Sequence, residues 1–330
     1  MNQQQSSIKH IGVLSSGGDS PGMNAAIRAV VRTAAHYQLQ VTGILHGYQG
    51  LIDNEMIALD ECSVSQIIHT GGTILRTSRC EAFRTKAGME TAHTNLKQAG
   101  IDGLVVIGGD GTYKGAVEFN NLFSFPIIGI PGTIDKDLAG TDYTLGFDTA
   151  VNTAMYAIDK IRDTATSHER IFFVEVMGRD AGYIALHSGL ATGAEAILIP
   201  ETKTYIDQLV AQLERGWKRK KRCHIIIVAE GDDAGGAMKV AAEVGKKFNS
   251  IETRVSILGH IQRGGSPTVN DRVLGSRWGF AAVEALIAGK KGIALGVINN
   301  EISETPFEVA VKEHGVVSEE LLNMMYILSS

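Results

Sequence analysis

Nine short apolar runs recur along the chain, and each is nearly continuous rather than alternating in polarity. Strands covered by helices on both faces, as in a parallel sheet, need such runs. Segments with helical periodicity lie between the runs, for example residues 23–37 and 148–163. The pattern therefore predicts an α/β fold with doubly wound, mostly parallel sheets. The predicted strands are IGVL (11–14), VTGIL (41–45), GLVVIGG (103–109), PIIGI (126–130), RIFFVEV (170–176), EAILI (195–199), HIIIVAE (224–230), RVSILG (254–259) and ALGVI (294–298).

Composition narrows the class of protein. The 330 residues suffice for two ordinary domains, and 44% hydrophobic with 20% charged residues is typical of a globular chain. A net charge of −5, with Lys and Arg scattered among the acids, argues against partners such as nucleic acid or an anionic membrane. Three cysteines without paired spacing indicate a reducing compartment and no zinc site. The polar start MNQQQSSIKH is not a signal peptide, and no apolar run has spanning length, so we expect a cytoplasmic protein.

Glycine-rich segments follow four of the predicted strands, where doubly wound sheets bind their ligands. The first, SSGGDSPGMN (15–24), opens a helix and exposes backbone N–H groups that suit a phosphate; a tight structural turn explains it equally well. The second, VIGGDGTYKG (106–115), places Asp110 between glycines, where a carboxylate suits Mg²⁺ and glycine backbone admits phosphates. A helix-capping aspartate is the alternative there.

The third segment, GIPGTIDKD (129–137), carries alternating polar residues. In extended backbone Thr133, Asp135 and Asp137 would all point the same way. One carboxylate could then take a proton from a substrate hydroxyl while the threonine holds a phosphoryl oxygen. A capping aspartate and a surface ion pair with Lys136 would account for the same residues.

The fourth segment, ILGHIQRGGSP (257–267), adds positive charge. Arg254, His260 and Arg263 bracket one strand end, which is typical of a phosphate pocket, and Arg170 and Arg179 flank another strand. Phosphate loops, a metal carboxylate, a candidate base and surplus arginines together indicate phosphoryl transfer between two phosphorylated ligands.

Five motifs in this order resemble those of the bacterial 6-phosphofructokinase family: SSGGDSPGMNAAIR, VVIGGDGTYKGA, PGTIDKD, EVMGRDAGY and LGHIQRGGSP. The resemblance extends from about Ile11 to about Asn300. It implies ATP-dependent phosphorylation of fructose 6-phosphate at the 1-hydroxyl, in glycolysis. It also implies two sheet domains with the active site between them. Residues 1–146 and 262–308 would form a nucleotide-binding domain, and residues 147–261 and 309–330 a fructose 6-phosphate domain.

The same resemblance implies roles for individual residues. Asp135 would be the general base, Asp137 would position the sugar or the metal, and Asp110 would hold Mg²⁺ with the nucleotide. Charge on the transferring group would be stabilised by Thr133, Arg179 and the backbone of Gly18. Nucleotide-side positions are Gly18, Tyr48, Arg79, Cys80, Arg84, Gly109, Asp110, Gly111 and Thr112. Sugar-phosphate positions are Thr133, Asp135, Asp137, Met177, Gly178, Arg179, Glu230, His260 and Arg263, with Arg170 and Arg254 supplied by a neighbouring subunit.

Oligomerisation and regulation also follow from the resemblance. A shared active site implies a homo-oligomer, usually a tetramer. A second phosphate site between subunits would bind ADP as activator or phosphoenolpyruvate as inhibitor. Its matching positions are Arg28, Arg32, Arg162, Glu195 and Lys221, although a solvated helix end explains the run KRKKR (218–222) equally well.

This chain departs from the family pattern at several positions. Glu61 stands where the family has another phosphate-binding arginine, and Cys223 where histidine is common, so we expect a weak or altered effector response. Lys136 replaces the usual asparagine beside the base, and Cys80 replaces a common aromatic residue near the nucleotide.

The phosphoryl donor can be predicted from two glycines. The related pyrophosphate-dependent enzymes carry an aspartate and a lysine where this chain has Gly111 and Gly132. Glycine at both positions leaves room for a nucleotide, so we expect ATP as the donor.

Two rival interpretations come from other classes. One is a different GGDG kinase acting on a lipid or on NAD, against which the PGTID and GHIQRGG motifs argue. The other is a catalytically silent, ligand-binding relative, which would need a broken catalytic set, whereas Asp110, Asp135 and Arg179 are all present.

Overall fold

The computed structural model describes residues 8–167, 170–219, 223–248, 252–312 and 317–328. The chain divides into two compact units: unit 1 comprises Met1–Asp148 and Arg263–Gly315, and unit 2 comprises Thr149–Gln262 and Val316–Ser330. The resemblance implied divisions after residues 146, 261 and 308. The last of these differs most, because Phe307 and Ala310 pack into a core cluster of unit 1.

Unit 1 contains a large sheet and unit 2 a small one. The strands are β1 (His10–Ser15), β2 (Gln40–Ile44), β3 (Met56–Leu59), β4 (Gly103–Gly108), β5 (Ile127–Thr133), β6 (Leu145–Gly146), β7 (Ile171–Val176), β8 (Ala196–Leu198), β9 (His224–Ala229), β10 (Thr253–Ile257), β11 (Ile293–Ile298) and β12 (Glu301–Pro306).

Helices connect most of these strands. They are α1 (Met23–His36), α2 (Tyr48–Asp53), α3 (Lys86–Gln98), α4 (Asp110–Phe123), α5 (Phe147–Thr166), α6 (Tyr183–Thr192), α7 (Ile206–Lys218), α8 (Ala237–Lys247), α9 (Val269–Ile287), α10 (Phe307–Ala310) and α11 (Glu319–Leu328), with 3₁₀ turns at Ala82–Arg84 and Gly259–Arg263.

The large sheet has the order β12-β11-β5-β4-β1-β2-β3, with β6 paired to β5. Its pairings are parallel except at the two edges, where β3 runs antiparallel to β2 and β12 antiparallel to β11. The α/β prediction is confirmed, and all nine predicted runs form strands. The prediction missed the edge strands β3 and β12 and the short strand β6.

Helices cover both faces of the large sheet. On one face, Ile27 and Val30 of α1 pack with Trp278 and Val283 of α9. On the other face, one core cluster includes Leu96 of α3 and Phe119 of α4. This arrangement explains why the central strands are continuously apolar, since neither face of the sheet meets water.

Helices α1 and α9 approach each other closely through two glycines. A Cβ on Gly275 would lie 3.0 Å from the carbonyl oxygen of Gly22, and one on Gly279 would lie 2.6 Å from the Cβ of Ala29. Larger residues would force the helices apart, so the two glycines set the position of α1 relative to α9.

Unit 2 is a smaller parallel sheet of order β10-β7-β9-β8. Helices α7 and α8 cover one face, where Leu209, Leu213, Val240 and Val244 pack against Phe173. Because the strands are parallel, the segments that follow β7, β9 and β10 emerge at the same edge of this sheet.

Candidate active site

Three loops of unit 1 meet at the carboxyl ends of neighbouring strands β1, β4 and β5. The backbone N–H of Ser16 donates to the carbonyl of Ile107 at 2.9 Å. The hydroxyl of Thr112 donates to the carbonyl of Ser16 at 3.0 Å. A Cβ on Gly109 would lie 3.2 Å from the Cβ of Thr133, so this glycine also lies close to the third loop. The three predicted glycine-rich segments of unit 1 thus form one cluster.

Arg263 lies against the first of these loops. Its Nη1 donates to the carbonyl of Asp19 at 3.2 Å. A side chain on Gly18 would collide with the same guanidinium. Glycine at position 18 therefore keeps a cation in direct contact with the backbone of a loop that suits phosphate.

The segment 70–77 holds the first loop in place, and sequence reasoning missed it. The hydroxyl of Thr77 donates to the carbonyl of Gly17 at 2.6 Å. The side chain of Asn24 accepts from the backbone N–H of Ile74 at 2.8 Å. Asn24 belongs to the first motif, but the residues that it and Gly17 contact lie outside the motifs, and only the glycine pair at 71–72, which marks a turn, signals that this segment is special.

Asp110 occupies the first turn of α4, where the helix dipole favours a negative charge. Its Oδ2 accepts from Nζ of Lys114 at 2.7 Å. Its Oδ1 is buried and has no hydrogen-bond partner among the residues that the structure describes. A buried carboxylate oxygen without a donor suits a cation, so Asp110 fits the predicted Mg²⁺. No cluster of three or more His, Cys, Asp or Glu side chains that could hold a metal occurs in the described ranges.

The third loop departs from the extended geometry expected of it. Strand β5 ends at Thr133, the N–H of Asp135 turns back to donate to Oγ1 of Thr133 at 3.1 Å, and Lys136 has a φ of 56°. The extended backbone from which Thr133, Asp135 and Asp137 were expected to point the same way therefore does not continue beyond Thr133. The turn leaves Asp135 only 3% exposed, at the end of the strand next to β4.

Lys136 turns its ammonium group towards two aromatic rings. Nζ lies 5.9 Å from the centroid of Tyr143 and 5.3 Å from that of Phe147. Burial lowers the pKa of Lys136, and the nearby Asp142 partly offsets that effect. Cation–π contacts of this kind hold the side chain in a defined position.

The nucleotide-side residues differ widely in exposure. Tyr48 is 5% exposed, stacks on Phe83 at 3.9 Å and donates its hydroxyl to the carbonyl of Thr112 at 2.7 Å. Burial raises the pKa of Tyr48, so its hydroxyl stays a donor that supports the start of α4. Cys80 packs against the core, whereas Arg79 is exposed and the exposed Arg84 lies 3.4 Å from Glu81.

Unit 2 brings four of the predicted sugar-phosphate residues together after β7 and β9. The carboxylate of Glu230 accepts from the backbone N–H groups of Gly178 at 3.2 Å and Arg179 at 2.7 Å. Arg179 is exposed and adopts a left-handed conformation, with φ of 51°. That conformation costs about 1–2 kcal/mol, and the charge-assisted bonds to Glu230 offset it. Met177 leads into the same turn.

Gln262 supports this turn and was not predicted. The side chain is fully buried, its Oε1 accepts from the N–H of Met177 at 3.3 Å, and its Nε2 donates to the carbonyl of Gly259 at 3.0 Å. It therefore joins the segment after β7 to the segment after β10 that carries the exposed His260. Its place between His260 and Arg263 in the GHIQRGG motif was the available signal.

Arg170 and Arg254 lie elsewhere on unit 2. Arg170 Nε lies 2.5 Å from Oε2 of Glu252, and Arg254 pairs with Oε1 of the same carboxylate. Both arginines lie at the amino ends of β7 and β10, whereas Arg179 and His260 follow the carboxyl ends. The expectation that Arg254 and His260 bracket one strand end was therefore wrong, because the length of β10 separates them.

The predicted effector residues are likewise distributed over both units. Arg28 is half-buried and Arg32 exposed on α1, and Glu61 is exposed. In unit 2, Arg162 donates to the carbonyl of Thr192, while Glu195 is 4% exposed with Oε2 lying 3.7 Å from Nδ1 of His224. Cys223 is partly buried, and Lys221 lies outside the described residues. Burial of Glu195 within unit 2 makes it a structural residue whatever else it binds.

None of the helices in the described ranges combines the length and apolar character that a membrane crossing needs.

Comparisons with known proteins agree over nearly the whole chain. Residues 10–286 match the phosphofructokinase family. A Bacteroides thetaiotaomicron protein named ATP-dependent 6-phosphofructokinase 2 is 52% identical over 322 residues, which cover 98% of this chain and 99% of that protein. The ATP-dependent 6-phosphofructokinase of Bacillus subtilis is 56% identical over 298 residues, covering 89% of this chain and 91% of that one.

Solved structures give the same result for the fold. Phosphofructokinase from Saccharomyces cerevisiae superposes with a TM-score of 0.88 at 35% identity, over 97% of this chain and 48% of that chain, so this chain spans about half of its length. A pyrophosphate-dependent phosphofructokinase from Marinobacter aquaeolei shares the fold, with a TM-score of 0.84 at 22% identity over 98% of this chain and 92% of that one.

Proposed function

The chain belongs to the phosphofructokinase family, and we propose that it transfers the γ-phosphoryl group of ATP to the 1-hydroxyl of fructose 6-phosphate, in the cytoplasmic pathway of glycolysis. The observation that carries the chemistry is the cluster in unit 1, where a buried carboxylate, Asp135, follows β5, and the next two strands in the sheet, β4 and β1, end in glycine loops. Family membership decides against the first rival, a kinase of lipids or NAD.

Asp135 is the proposed general base on the sugar hydroxyl. Burial shields its carboxylate from water, and the bond from its N–H to Thr133 Oγ1 fixes the turn that carries it. Thr133, Arg179 and the backbone of Gly18 are proposed to stabilise charge on the transferring group, and Asp137 to position the sugar. In this proposal one short turn carries both the general base, Asp135, and the phosphoryl-binding hydroxyl of Thr133.

Asp110 is the proposed protein ligand of Mg²⁺, supported by its buried and unpartnered Oδ1. When bound, the ion would neutralise charge on the nucleotide phosphates. Gly109 and Thr112 would form the surrounding cradle, and the bonds from Thr112 to Ser16 and from Tyr48 to Thr112 keep that cradle rigid.

ATP is the proposed donor, and the two diagnostic glycines support it for different reasons. A Cβ on Gly111 would meet nothing within 4 Å, so this exposed position leaves room for a nucleotide. A Cβ on Gly132 would lie 3.0 Å from Ile107 Cγ2 and from Met23 Cε. From the sequence we expected both glycines to leave open space for the nucleotide. That reason holds for Gly111 only, because the packing around position 132 requires a glycine there.

The sugar phosphate is proposed to bind Met177, Gly178, Glu230, His260 and Arg263. Arg170 and Arg254 are proposed to act in the site of a neighbouring copy, as part of a homotetramer. Their location at the amino ends of β7 and β10, away from Arg179 and His260 on the same unit, supports that assignment.

A coupled assay tests the proposal directly. The purified chain is supplied with fructose 6-phosphate and Mg²⁺, and either ATP or pyrophosphate, and fructose 1,6-bisphosphate formation is measured. We expect turnover with ATP. Absence of turnover, with nucleotide binding intact, would instead identify a silent ligand-binding relative.

A further inference from the structure

Lys114 forms an ion pair with the carboxylate that the proposed function assigns to the metal. It lies four residues after Asp110, one turn along α4, and Nζ contacts Oδ2 at 2.7 Å. The side chain of Lys114 is 57% exposed and that of Asp110 is 19% exposed. The ammonium group therefore reaches in from solvent to a carboxylate that is mostly buried.

The Asp110–Lys114 pair differs from an ordinary ion pair on the surface of a helix. Lys86 and Glu90 on α3 have the same spacing, but they lie 3.8 Å apart with 74% and 55% of their side chains exposed. Such an exposed pair contributes little to the stability of the helix. The Asp110 pair differs because its acid begins the helix, beside the loop that would receive nucleotide phosphates, and because its second oxygen is buried without a partner.

We propose that Lys114 is an internal counter-ion of Asp110 that competes with Mg²⁺ and thereby sets the metal requirement of the nucleotide site. This inference rests on the proposed function, in which Asp110 holds the ion. A divalent cation on either oxygen must share the carboxylate with the ammonium group or displace it, and like charges at that separation repel. The metal affinity of the site is then lower than the carboxylate alone would give.

The same ammonium group affects the nucleotide in the opposite direction. A cation next to the phosphate loop attracts phosphates whether or not a metal accompanies them. Removing it should therefore weaken metal-free nucleotide binding while lowering the Mg²⁺ concentration that the metal-bound complex needs. A residue with a purely structural role in α4 would not change these two quantities in opposite directions.

The test measures binding of a non-hydrolysable ATP analogue to the full chain by calorimetry, over a series of Mg²⁺ concentrations. For Lys114→Met we expect the Mg²⁺ midpoint to fall about 1.5- to 5-fold, the range that corresponds to a partly exposed pair, and metal-free analogue binding to weaken. Lys114→Arg keeps the charge and should resemble the unmodified chain. Lys86→Met removes the matched lysine on α3 and should change neither quantity.

A second variant, at Asp110, distinguishes a failure of this inference from a failure of the proposed function on which it rests. Asp110→Asn should raise the Mg²⁺ midpoint. Adding Lys114→Met to that variant should leave the raised midpoint unchanged. An unchanged or higher midpoint in Lys114→Met alone, with Asp110→Asn behaving as expected, would overturn the role of Lys114 and leave the metal site intact. An unaffected midpoint in Asp110→Asn would overturn the metal assignment and the inference with it. Thermal unfolding of each variant verifies that it is folded.

Discussion

The substitution Gly132→Ala tests how packing around β5 affects the stability and the activity of the protein. A Cβ at this position would lie 3.0 Å from Ile107 Cγ2 and Met23 Cε, and 3.1 Å from the backbone N of Gly108. Comfortable contacts between carbon atoms lie at about 3.5–4.0 Å. Gly132→Ala therefore requires a movement of about 0.5 Å, and because Gly108 contributes backbone atoms, β4 or β5 itself must give way.

Two opposing contributions determine how much Gly132→Ala changes the free energy of unfolding. Overpacking of this kind costs about 1–3 kcal/mol, while replacing glycine with alanine recovers about 0.4–1 kcal/mol by restricting the unfolded chain. We expect a net loss in the free energy of unfolding of between about 0 and 2.6 kcal/mol, centred on about 1.3 kcal/mol. Thr133 is the next residue, and Asp135 follows in the same turn, so a displacement of about 0.5 Å should lower kcat roughly tenfold.

Gly111→Ala is the matched control, since a Cβ there meets nothing within 4 Å. Urea unfolding and the coupled kinase assay are measured for both variants. Gly111→Ala should be more stable than the unmodified chain by about 0.4–1 kcal/mol, because only the restriction of the unfolded chain acts there. If Gly132→Ala were as stable and as active as the unmodified chain, the packing argument would be refuted.

Three further predictions concern the chemistry, the donor and regulation. Asp135→Asn should lower kcat by about 10²–10⁴-fold with little change in KM, because a general base acts in the transition state; a larger loss in Asp137→Asn would move the role to that residue. Activity with pyrophosphate should be negligible beside activity with ATP, and the reverse result in the coupled assay would contradict the donor assignment. ADP and phosphoenolpyruvate should shift the fructose 6-phosphate saturation curve only weakly, because Glu61 would repel a bound phosphate. Glu61→Arg should strengthen the response, and strong shifts in the unmodified chain would show that Glu61 faces away.

Most of the strands that sequence reasoning found are buried, whereas the missed β6 is buried but only two residues long. The other two that it missed, β3 and β12, are antiparallel edge strands with mostly exposed or half-exposed residues, such as the alternating EISETP of β12. Their character depends on which strand they lie beside, and an apolar run cannot reveal that. The discontinuity of unit 1 was implied by family resemblance and not by composition: no Pro- or Gly-rich stretch marks residue 148, and the glycines after residue 263 belong to a segment that was interpreted as part of the site.

Within the site, residue identity was easier to predict than geometry. The motifs identified Asp110 and Asp135, and the family resemblance added Glu230, but alternation in the sequence did not show that Lys136 adopts a left-handed conformation. Supporting residues such as Thr77 and Gln262 act through one or two hydrogen bonds to backbone groups. Such bonds depend on tertiary placement, for which the local sequence holds little information.

The contact of α1 with α9 has a consequence for how the protein is made. Helix α1 is complete once its residues leave the ribosome, but the glycines against which it packs, Gly275 and Gly279, lie more than 230 residues later. The intervening residues 37–274 take roughly 12–48 s to synthesise at about 5–20 residues per second. Strand β5 likewise cannot pair with β11 until β11 has been synthesised. During that interval the apolar face of α1 has no partner helix, so the nascent chain of unit 1 is a natural substrate for chaperones.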